Sequence, residues 1–232
     1  MDNWNEYIGS LWYNLLTKTS LKKDGVVVEI APGSVSKIGR GLADYDFKGT
    51  LYIIEPNYSS LAEIVIEYCN LLPNANLMPI NRTLRAAIPL LPKRPDIILA
   101  NHPLDDMIVG NALSVEDFDR FFTKHYDRCS IFETKYFWDI LKDNPIIFKQ
   151  SLQKVLEDWE LLIKQIRPSN VAISQYYSFF FKQHRLTEPD DNAISLLRKI
   201  ETVAQKEGFN ITYPLDSLVD DKNLWSLMKG IK

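Results

Sequence analysis

The chain has 232 residues, of which 46% are hydrophobic and 25% charged, values typical of a globular protein with a full core. Its formal net charge of −3 gives no evident field of either sign, so nucleic acid is an unlikely partner. No apolar run is long enough to span a membrane, and the N-terminus lacks the features of a signal peptide. Cys69 and Cys129 do not indicate a disulfide framework, and a cytoplasmic protein is expected.

The first half of the chain alternates predicted strands and helices. Apolar residues at helical spacing over 4–16 predict an amphipathic helix, and the polar stretch up to residue 24 is a connector. The strand-helix rhythm that follows specifies a parallel sheet with helices on both faces. Its strands are predicted at 26–30, 51–55, 76–80 and 96–100, with a helix carrying Ile38 and Leu42 and further helices at 61–71 and 84–91.

The rhythm breaks between residues 104 and 147, in a segment rich in aromatic and charged side chains. The segment is too long for an ordinary connection, so we expect it to be a helical insertion that forms a cap. Together with the N-terminal helix it would cover the substrate. The aromatic side chains at 118–138 either line a pocket or form the core of this cap.

The second half of the chain is predicted to complete the sheet. The final two strands are expected to pair as antiparallel neighbours. The predicted fold is therefore a single α/β domain over 1–232, with a mostly parallel sheet and a C-terminal antiparallel hairpin. The elements are predicted at 148–166 and 192–206 for the helices and at 171–174, 209–213 and 224–231 for the strands.

Two predicted strands end in an acid close to a turn. The first carries Glu29 and leads into the small residues Ala31, Pro32, Gly33 and Ser34, where a ligand can approach the backbone closely. The second ends at Glu55, about 20 residues further on, which is the spacing of an acid that receives the two hydroxyls of a ribose. Together these features predict an adenosine-containing cofactor.

These residues and the closing hairpin resemble the class I S-adenosylmethionine-dependent methyltransferases, over about 24–101 and 148–232. The first motif of that family is similar to residues 27–33, and its second strand ends in an acid like Glu55. The resemblance implies S-adenosylmethionine as the cofactor. The backbone of Ala31, Pro32 and Gly33 would pass under the methionine moiety, Glu29 would order this loop and the amino group, and Glu55 would accept the ribose hydroxyls.

The resemblance also implies roles for the residues that follow these motifs. Pro56, next to Glu55, belongs to the same cofactor-binding set. Asn81 and Arg82 follow the third strand, where family members often have an acid that holds the adenine amine, and no acid is present there in this chain. Asn101, at the end of the fourth strand, stands where the family contacts both cofactor and substrate.

The segment after the fourth strand is the predicted catalytic site. It places His102, Asp105 and Asp106 at the ligand-binding edge of the sheet. A neutral imidazole can take a proton from an amine or hydroxyl as that group is methylated. The alternative is that His102 and Asp105 cap the helix that follows. Tyr176 and Tyr177, just past the fifth strand, are predicted to face the substrate pocket, and no metal site is predicted.

The predicted function is methyl transfer from S-adenosylmethionine to a nitrogen or oxygen nucleophile of a small molecule. An enzyme that transfers an aminopropyl or aminocarboxypropyl group from the same kind of sulfonium is one alternative. A non-catalytic subunit that serves in binding or assembly is the other.

Overall fold

The computed structural model describes residues 2–114, 117–118, 131–177, 188–215 and 224–230. The helices in this part of the chain are α1 (Asp2–Leu16), α2 (Ile38–Asp44), α3 (Tyr58–Leu71), α4 (Leu84–Ala87), α5 (Leu104–Ala112), α6 (Ile131–Asp143), α7 (Pro145–Ile166) and α8 (Glu188–Lys206), with a 3-10 turn at Ile88–Leu90. The strands are β1 (Val26–Ile30), β2 (Thr50–Ile54), β3 (Asn76–Ile80), β4 (Ile97–Asn101), β5 (Asn170–Gln175), β6 (Phe209–Thr212) and β7 (Leu224–Gly230). None of these helices combines the length and the apolar character needed to cross a lipid bilayer.

The seven strands form one sheet in the order β3-β2-β1-β4-β5-β7-β6. Strands β1 to β5 are parallel, and β7 lies antiparallel between β5 and β6. The predicted parallel sheet with a closing antiparallel hairpin is confirmed. Because β1 and β4 are central neighbours, the loops that follow them lie side by side at the carboxyl edge.

The strand at the edge of the sheet is β3. Its Pro79 is in register with Ile53 of β2, and most of its side chains are exposed. Proline has no N–H to donate, so it is tolerated in a strand that has a neighbour on one side only. This explains why a strand that contains proline still forms.

The two faces of the sheet bury separate apolar clusters. In β1 the side chains of Val28 and Ile30 pack on one face with α5, α7 and α8, while Val27 packs on the other face with α1, α2 and α3. This alternation follows from the period of two in a strand. It also puts Glu29 on the same face as Val27, so its carboxyl points away from the face on which Val28 and Ile30 pack.

The packing of its parts corrects the predicted cover of the substrate site in part. Helix α1 lies in the core, with Trp12 fully buried against α2 and Trp225. Helix α5, at the start of the predicted insertion, is a regular layer of the fold with Leu104 and Ile108 buried under the sheet. Of the aromatic residues predicted at 118–138, Phe137 of α6 is buried in the same cluster and is core. Phe118 lines the cavity at the carboxyl edge of the sheet. The aromatic residues of 119–130 lie outside the described residues.

Three predicted helices differ from the observed ones, and proline accounts for two of the differences. Helix α7 begins at Pro145 and not at residue 148, because a proline fits the first turn, where its missing N–H is not needed. The predicted helix over 84–91 is divided into α4 and a 3-10 turn that contains Pro89. Within the described residues helix α8 covers Glu188–Lys206, so it includes Pro189 and extends before the predicted residue 192.

Candidate cofactor site

A cavity of about 310 Å³ opens at the carboxyl ends of β1 and β2. Its volume is at the lower end of the range for small-molecule sites. One wall is the chain after these two strands, and the others come from α4, α5 and α7. The residues on its walls include Ala31, Gly33, Glu55, Pro56, Ser60, Thr83, Leu84, Arg85, Asp106, Met107, Lys154 and Asp158.

The loop after β1 has a left-handed backbone at two positions. Ala31 has φ 51° and Gly33 has φ 68°. A residue with a side chain pays roughly 1–2 kcal/mol for this conformation, whereas glycine adopts it readily. The Ala31 N–H donates to the Ile54 carbonyl at 2.8 Å, which holds the strained turn against β2. The result is a loop that presents backbone, with little side chain, to the cavity.

Glu55 is the acid that joins this loop to the next strand. Its side chain is buried, with Oε2 accepting the Gly33 N–H at 3.2 Å and Oε1 accepting the Asn57 N–H at 2.9 Å. Burial raises the pKa of Glu55 to about 7, against the effect of these two hydrogen bonds. Each carboxylate oxygen keeps a second lone pair, so Glu55 can still accept hydroxyl donors from a ligand.

Asn81, the residue after β3, supports Glu55. Its Nδ2 donates to the carbonyl of Glu55 at 3.0 Å and to that of Pro56 at 2.8 Å. Asn81 therefore fixes the chain that carries the acid, while its own side chain is not on the cavity wall. Arg82 donates to the Asn81 carbonyl and is exposed, so the structure does not bring it into the cavity either.

Glu29 was predicted to order the cofactor loop, and the structure corrects this. Its carboxyl lies on the opposite face of the sheet from the cavity, 1% exposed, with both oxygens within 2.8 Å of the Tyr68 hydroxyl. Burial raises the pKa of Glu29 to about 8. The sequence correctly predicts that Glu29 lies near the end of β1. The strand's alternation, however, turns the side chain toward α3.

The predicted base, His102, has both ring nitrogens against acceptors. Nδ1 is 3.0 Å from an Asp105 oxygen, and Nε2 is 2.5 Å from the Tyr176 carbonyl. Burial lowers the pKa of His102, but the Asp105 carboxylate outweighs burial and raises it to about 10. An imidazolium with both N–H groups engaged cannot act as a general base. The alternative prediction, in which His102 and Asp105 cap the next helix, is not met either, because α5 has Pro103 as its N-cap residue and no side-chain cap hydrogen bond.

Asp106 is the member of the predicted catalytic set that stands on the cavity wall. Its side chain is half-buried on α5, and burial together with Asp105 raises its pKa to about 7. Asp106 in turn contributes to the raised pKa of Glu55, so the two carboxyl groups face a shared space. A cavity with two such acids favours a ligand that carries positive charge.

The remaining predicted residues are held by the protein itself. Asn101 accepts from the Trp12 indole at 2.9 Å and donates to the Tyr176 hydroxyl at 3.1 Å. Tyr176 packs beside the His102 ring, and the Tyr177 hydroxyl donates to Asp191 at 2.6 Å. None of these side chains is on the cavity wall, and the same is true of Pro32 and Ser34. The resemblance predicts the position of these loops correctly. The side chains of Asn101, Tyr176 and Tyr177, however, bond to other residues of the protein and are not on the cavity wall.

Sequence reasoning missed a charged pair on the cavity wall, which joins α4 to α7. Arg85 of α4 and Asp158 of α7 are 73 residues apart, and the arginine Nε lies 2.5 Å from Asp158 Oδ1. Asp158 lies among the mostly apolar buried positions of a long amphipathic helix, where Ser151 is the other polar residue. A single acid among buried apolar positions of α7 was the only clue.

Comparison with known proteins identifies the fold. No family model and no curated protein matches the sequence. Precorrin-6y C5,15-methyltransferase from Geobacter metallireducens superposes with a TM-score of 0.53 and 10% identity, over 96% of this chain and 88% of that one. A candidate rRNA methylase from Clostridium thermocellum superposes with a TM-score of 0.52 and 10% identity, over 94% and 95%. A candidate methyltransferase from Streptococcus mutans, in complex with S-adenosylhomocysteine, superposes with 0.51 and 12%, over 96% and 97%.

These similarities confirm the predicted fold class, that of the Rossmann-like methyltransferases. They also correct one prediction. The expectation that nucleic acid is an unlikely partner is wrong, because proteins with this fold include a candidate rRNA methylase. A net charge near zero therefore does not exclude a nucleic-acid substrate for such a fold.

Proposed function

Because the chain has the class I methyltransferase fold, we propose that its cavity binds S-adenosylmethionine and that the protein transfers the methyl group of this cofactor. The observation that carries the proposal is the buried Glu55 carboxylate on the cavity wall, bonded to the backbone N–H of Gly33. A carboxylate fixed in this way, beside a loop that exposes its backbone, suits a ribose with two neighbouring hydroxyls. The S. mutans neighbour, whose structure holds S-adenosylhomocysteine, supports the same choice of cofactor.

The residues present fit this cofactor in charge as well as in shape. Glu55 would hold the ribose, and the Ala31–Gly33 backbone would lie along the methionine part. The shared space of Glu55 and Asp106 suits a sulfonium, which is a cation, and an ammonium group. When bound, the cofactor supplies a methyl group that a nucleophile can attack directly.

Asp106 is the residue that we assign to proton transfer. Its carboxyl stands on the cavity wall, and its pKa near 7 lets it accept a proton from an N–H or O–H nucleophile at neutral pH. The His102 imidazolium and Asp105 form a buried ion pair at the start of α5. Their role in the proposal is to position Asp106, which is the next residue in the chain, and not to exchange protons with the substrate.

For the acceptor we keep a nitrogen or oxygen nucleophile of a small molecule as one proposal. The precorrin methyltransferase among the neighbours acts, by its name, on a small molecule at positions C5 and C15, so it supports a small-molecule acceptor and not the choice of nitrogen or oxygen. RNA is the second candidate acceptor, because another neighbour is a candidate rRNA methylase. Methyl transfer from labelled cofactor to total RNA and to a metabolite extract, measured side by side, distinguishes the two. The mass of the product distinguishes methyl transfer from aminopropyl or aminocarboxypropyl transfer.

The proposal is tested by placing a large side chain where the cofactor loop meets the cavity. Gly33→Arg would fill the space beside Glu55, so we expect it to weaken S-adenosylhomocysteine binding by at least roughly 100-fold in calorimetric titration. Gly208→Arg is the matched control. It introduces the same side chain at another glycine of positive φ (87°), where a new Cβ would meet no atom within 4 Å among the described residues.

We expect Gly208→Arg to bind the ligand like the wild type. Equal binding by Gly33→Arg and the wild type would show that the cofactor lies elsewhere. Loss of binding in both variants would point to a general loss of folding, which far-ultraviolet circular dichroism would reveal.

A further inference from the structure

The edge of the sheet opposite the cavity carries a row of exposed cations. Four neighbouring strands are each preceded, two or three residues before their first residue, by a lysine or an arginine. We call this row the basic edge, and its members are Lys48 before β2, Lys23 before β1, Arg94 before β4 and Arg167 before β5. Lys229 of β7 continues the row, because it is in register with Asn170 at the start of β5.

The backbone that carries the basic edge is fixed by hydrogen bonds between its loops. The Arg94 N–H donates to the Ile166 carbonyl at 2.8 Å, and the Ser169 N–H donates to the Pro95 carbonyl at 3.0 Å. Neighbouring strands lie about 4.8 Å apart, so the four strand starts span about 14 Å. The fold therefore sets the cations at regular intervals along one line.

The acids at this edge do not cancel its charge. Asp46 is shared by the lysines that precede β1 and β2, at 2.9 and 3.1 Å, so one negative charge faces two positive ones. The Asp96 carboxylate accepts the Val26 N–H at 2.7 Å, which ties it to the backbone of β1. Asp24 is exposed in the turn before β1. The excess of positive charge is largest before β4 and β5.

The two arginines of the basic edge are its most distinctive members. Arg94 and Arg167 each precede a proline, and both have a left-handed backbone, with φ 56° and 53°. Glycine adopts this conformation at lower cost, so an arginine at both turns indicates a role beyond the fold. Within the described residues, neither guanidinium has a hydrogen-bond or ion-pair partner. A guanidinium in this state can bind a phosphate through two parallel hydrogen bonds.

We infer that the basic edge binds the phosphate backbone of RNA. A line of cations at regular intervals suits a polymer with evenly spaced phosphates, whereas stable attachment to a lipid surface needs a second, apolar signal. The inference goes beyond the proposed function and does not rest on it, because these contacts need neither cofactor nor methyl transfer. A chain of net charge −3 can hold RNA in this way because its cations are gathered at one edge of the sheet, while Glu55 and Asp106 line the cavity at the other.

The test measures binding of a labelled oligouridylate of about 20 nucleotides by fluorescence anisotropy, between about 50 and 200 mM salt. Each phosphate contact to a single strand contributes about −0.7 to the slope of log affinity against log salt, so four contacts predict a slope of about −3. The double variant Arg94→Gln, Arg167→Gln should bind at least roughly 10-fold more weakly. Its slope should be shallower by about 1.4.

The double variant Arg82→Gln, Lys149→Gln is the matched control. It removes the same charge from two exposed positions, one after β3 and one in the first turns of α7. Lys149 is 17 residues from Ile166, so it lies about 25 Å along α7 from the basic edge. We expect this control to bind the RNA within about threefold of the wild type.

Two further variants separate charge from folding. The pair Arg94→Gly, Arg167→Gly suits the positive φ at both turns, so it should fold at least as well as the wild type and lose affinity as the glutamine pair does. The pair Arg94→Lys, Arg167→Lys keeps the charge and should stay within about threefold of the wild type. All these variants should bind S-adenosylhomocysteine like the wild type.

The outcomes keep this inference apart from the proposed function. Absence of RNA binding by the wild type at about 50 mM salt, unchanged binding in the glutamine and glycine pairs, or an equal loss in the control overturns it. Tighter binding of a poly-glutamate peptide or of phosphatidylserine vesicles than of the RNA also overturns it. Absence of S-adenosylhomocysteine binding to the wild type overturns the proposed function alone.

Discussion

The substitution Glu29→Gln tests the protonation state of a buried pair. Both oxygens of Glu29 lie within 2.8 Å of the Tyr68 hydroxyl. A hydroxyl has one proton, so both contacts are full hydrogen bonds only if the carboxyl is protonated and donates in return. Burial raises the pKa of Glu29 to about 8, which agrees with a neutral carboxyl at pH 7. A glutamine amide has a donor and an acceptor at the same two positions.

The size of the effect follows from the pKa. The folded-state pKa lies above the ordinary value of 4.5, so the folded state is favoured at low pH and loses stability as the pH rises from 4.5 toward 8. With about 1.4 kcal/mol per pKa unit, the wild type should lose about 3–4 kcal/mol between pH 5 and pH 8 through this group. Glutamine does not ionise, so Glu29→Gln should lack this loss.

Urea unfolding at pH 5, 6, 7 and 8 measures the effect. Other buried acids contribute to the pH dependence of both proteins, so the relevant quantity is the difference in free energy of unfolding between Glu29→Gln and the wild type at each pH. We expect this difference to move in favour of the variant as the pH rises. Glu63→Gln, at an exposed position of α3, is the control and should stay within about 0.5 kcal/mol of the wild type. If the difference in free energy of unfolding between Glu29→Gln and the wild type is constant from pH 5 to pH 8, the Glu29 carboxyl is not neutral in the folded protein.

Three further predictions concern the same framework. In Gly39→Ala the new Cβ would lie 2.2 Å from the Tyr68 ring, so the free energy of unfolding should fall by more than about 2 kcal/mol, and unchanged urea melts would contradict this packing. Trp12→Phe removes the indole N–H that Asn101 accepts, and thermal unfolding should show a loss of about 1–3 kcal/mol; a variant as stable as the wild type would show that this bond is unimportant. The wild-type rate of methyl transfer should rise with pH through about 7 as Asp106 ionises, and Asp106→Asn should be slower by roughly 100-fold without this rise. A rise that persists in Asp106→Asn would assign the base to another group.

The strands and loops could be predicted because their signals are local. The run of β-branched residues in β1 and the small-residue turn after it are contiguous in sequence. The acid Glu55 follows β2 directly and does line the cavity, as predicted. Once the sheet is parallel, the loops after β1 and β2 must meet at one edge, so this part of the site follows from the strand pattern.

The orientation of individual side chains could not be predicted in the same way. Glu29 is one residue from the end of its strand, and the alternation of the strand turns it toward Tyr68, which is 39 residues away. His102 is at the predicted edge, but a positive φ of 52° and the Tyr176 carbonyl hold its ring inward. These contacts depend on packing between distant segments, which a single sequence does not display.

Asp158 shows the same limit for the wall of the cavity. The resemblance places an acid after the third strand, where this chain has Asn81 and Arg82. The Asp158 carboxylate on the cavity wall comes from α7, and its link to α4 through Arg85 joins residues 73 positions apart. No local motif encodes such a pairing.

Calorimetric titration of the wild-type protein with S-adenosylmethionine at pH 7 tests the central claim most directly. The cavity beside Glu55 and Gly33 predicts saturable binding of one cofactor molecule per chain, with a dissociation constant well below about 1 mM. Absence of saturable heat at cofactor concentrations up to that value would contradict the assignment of the cavity and favour a subunit that keeps the fold without the cofactor.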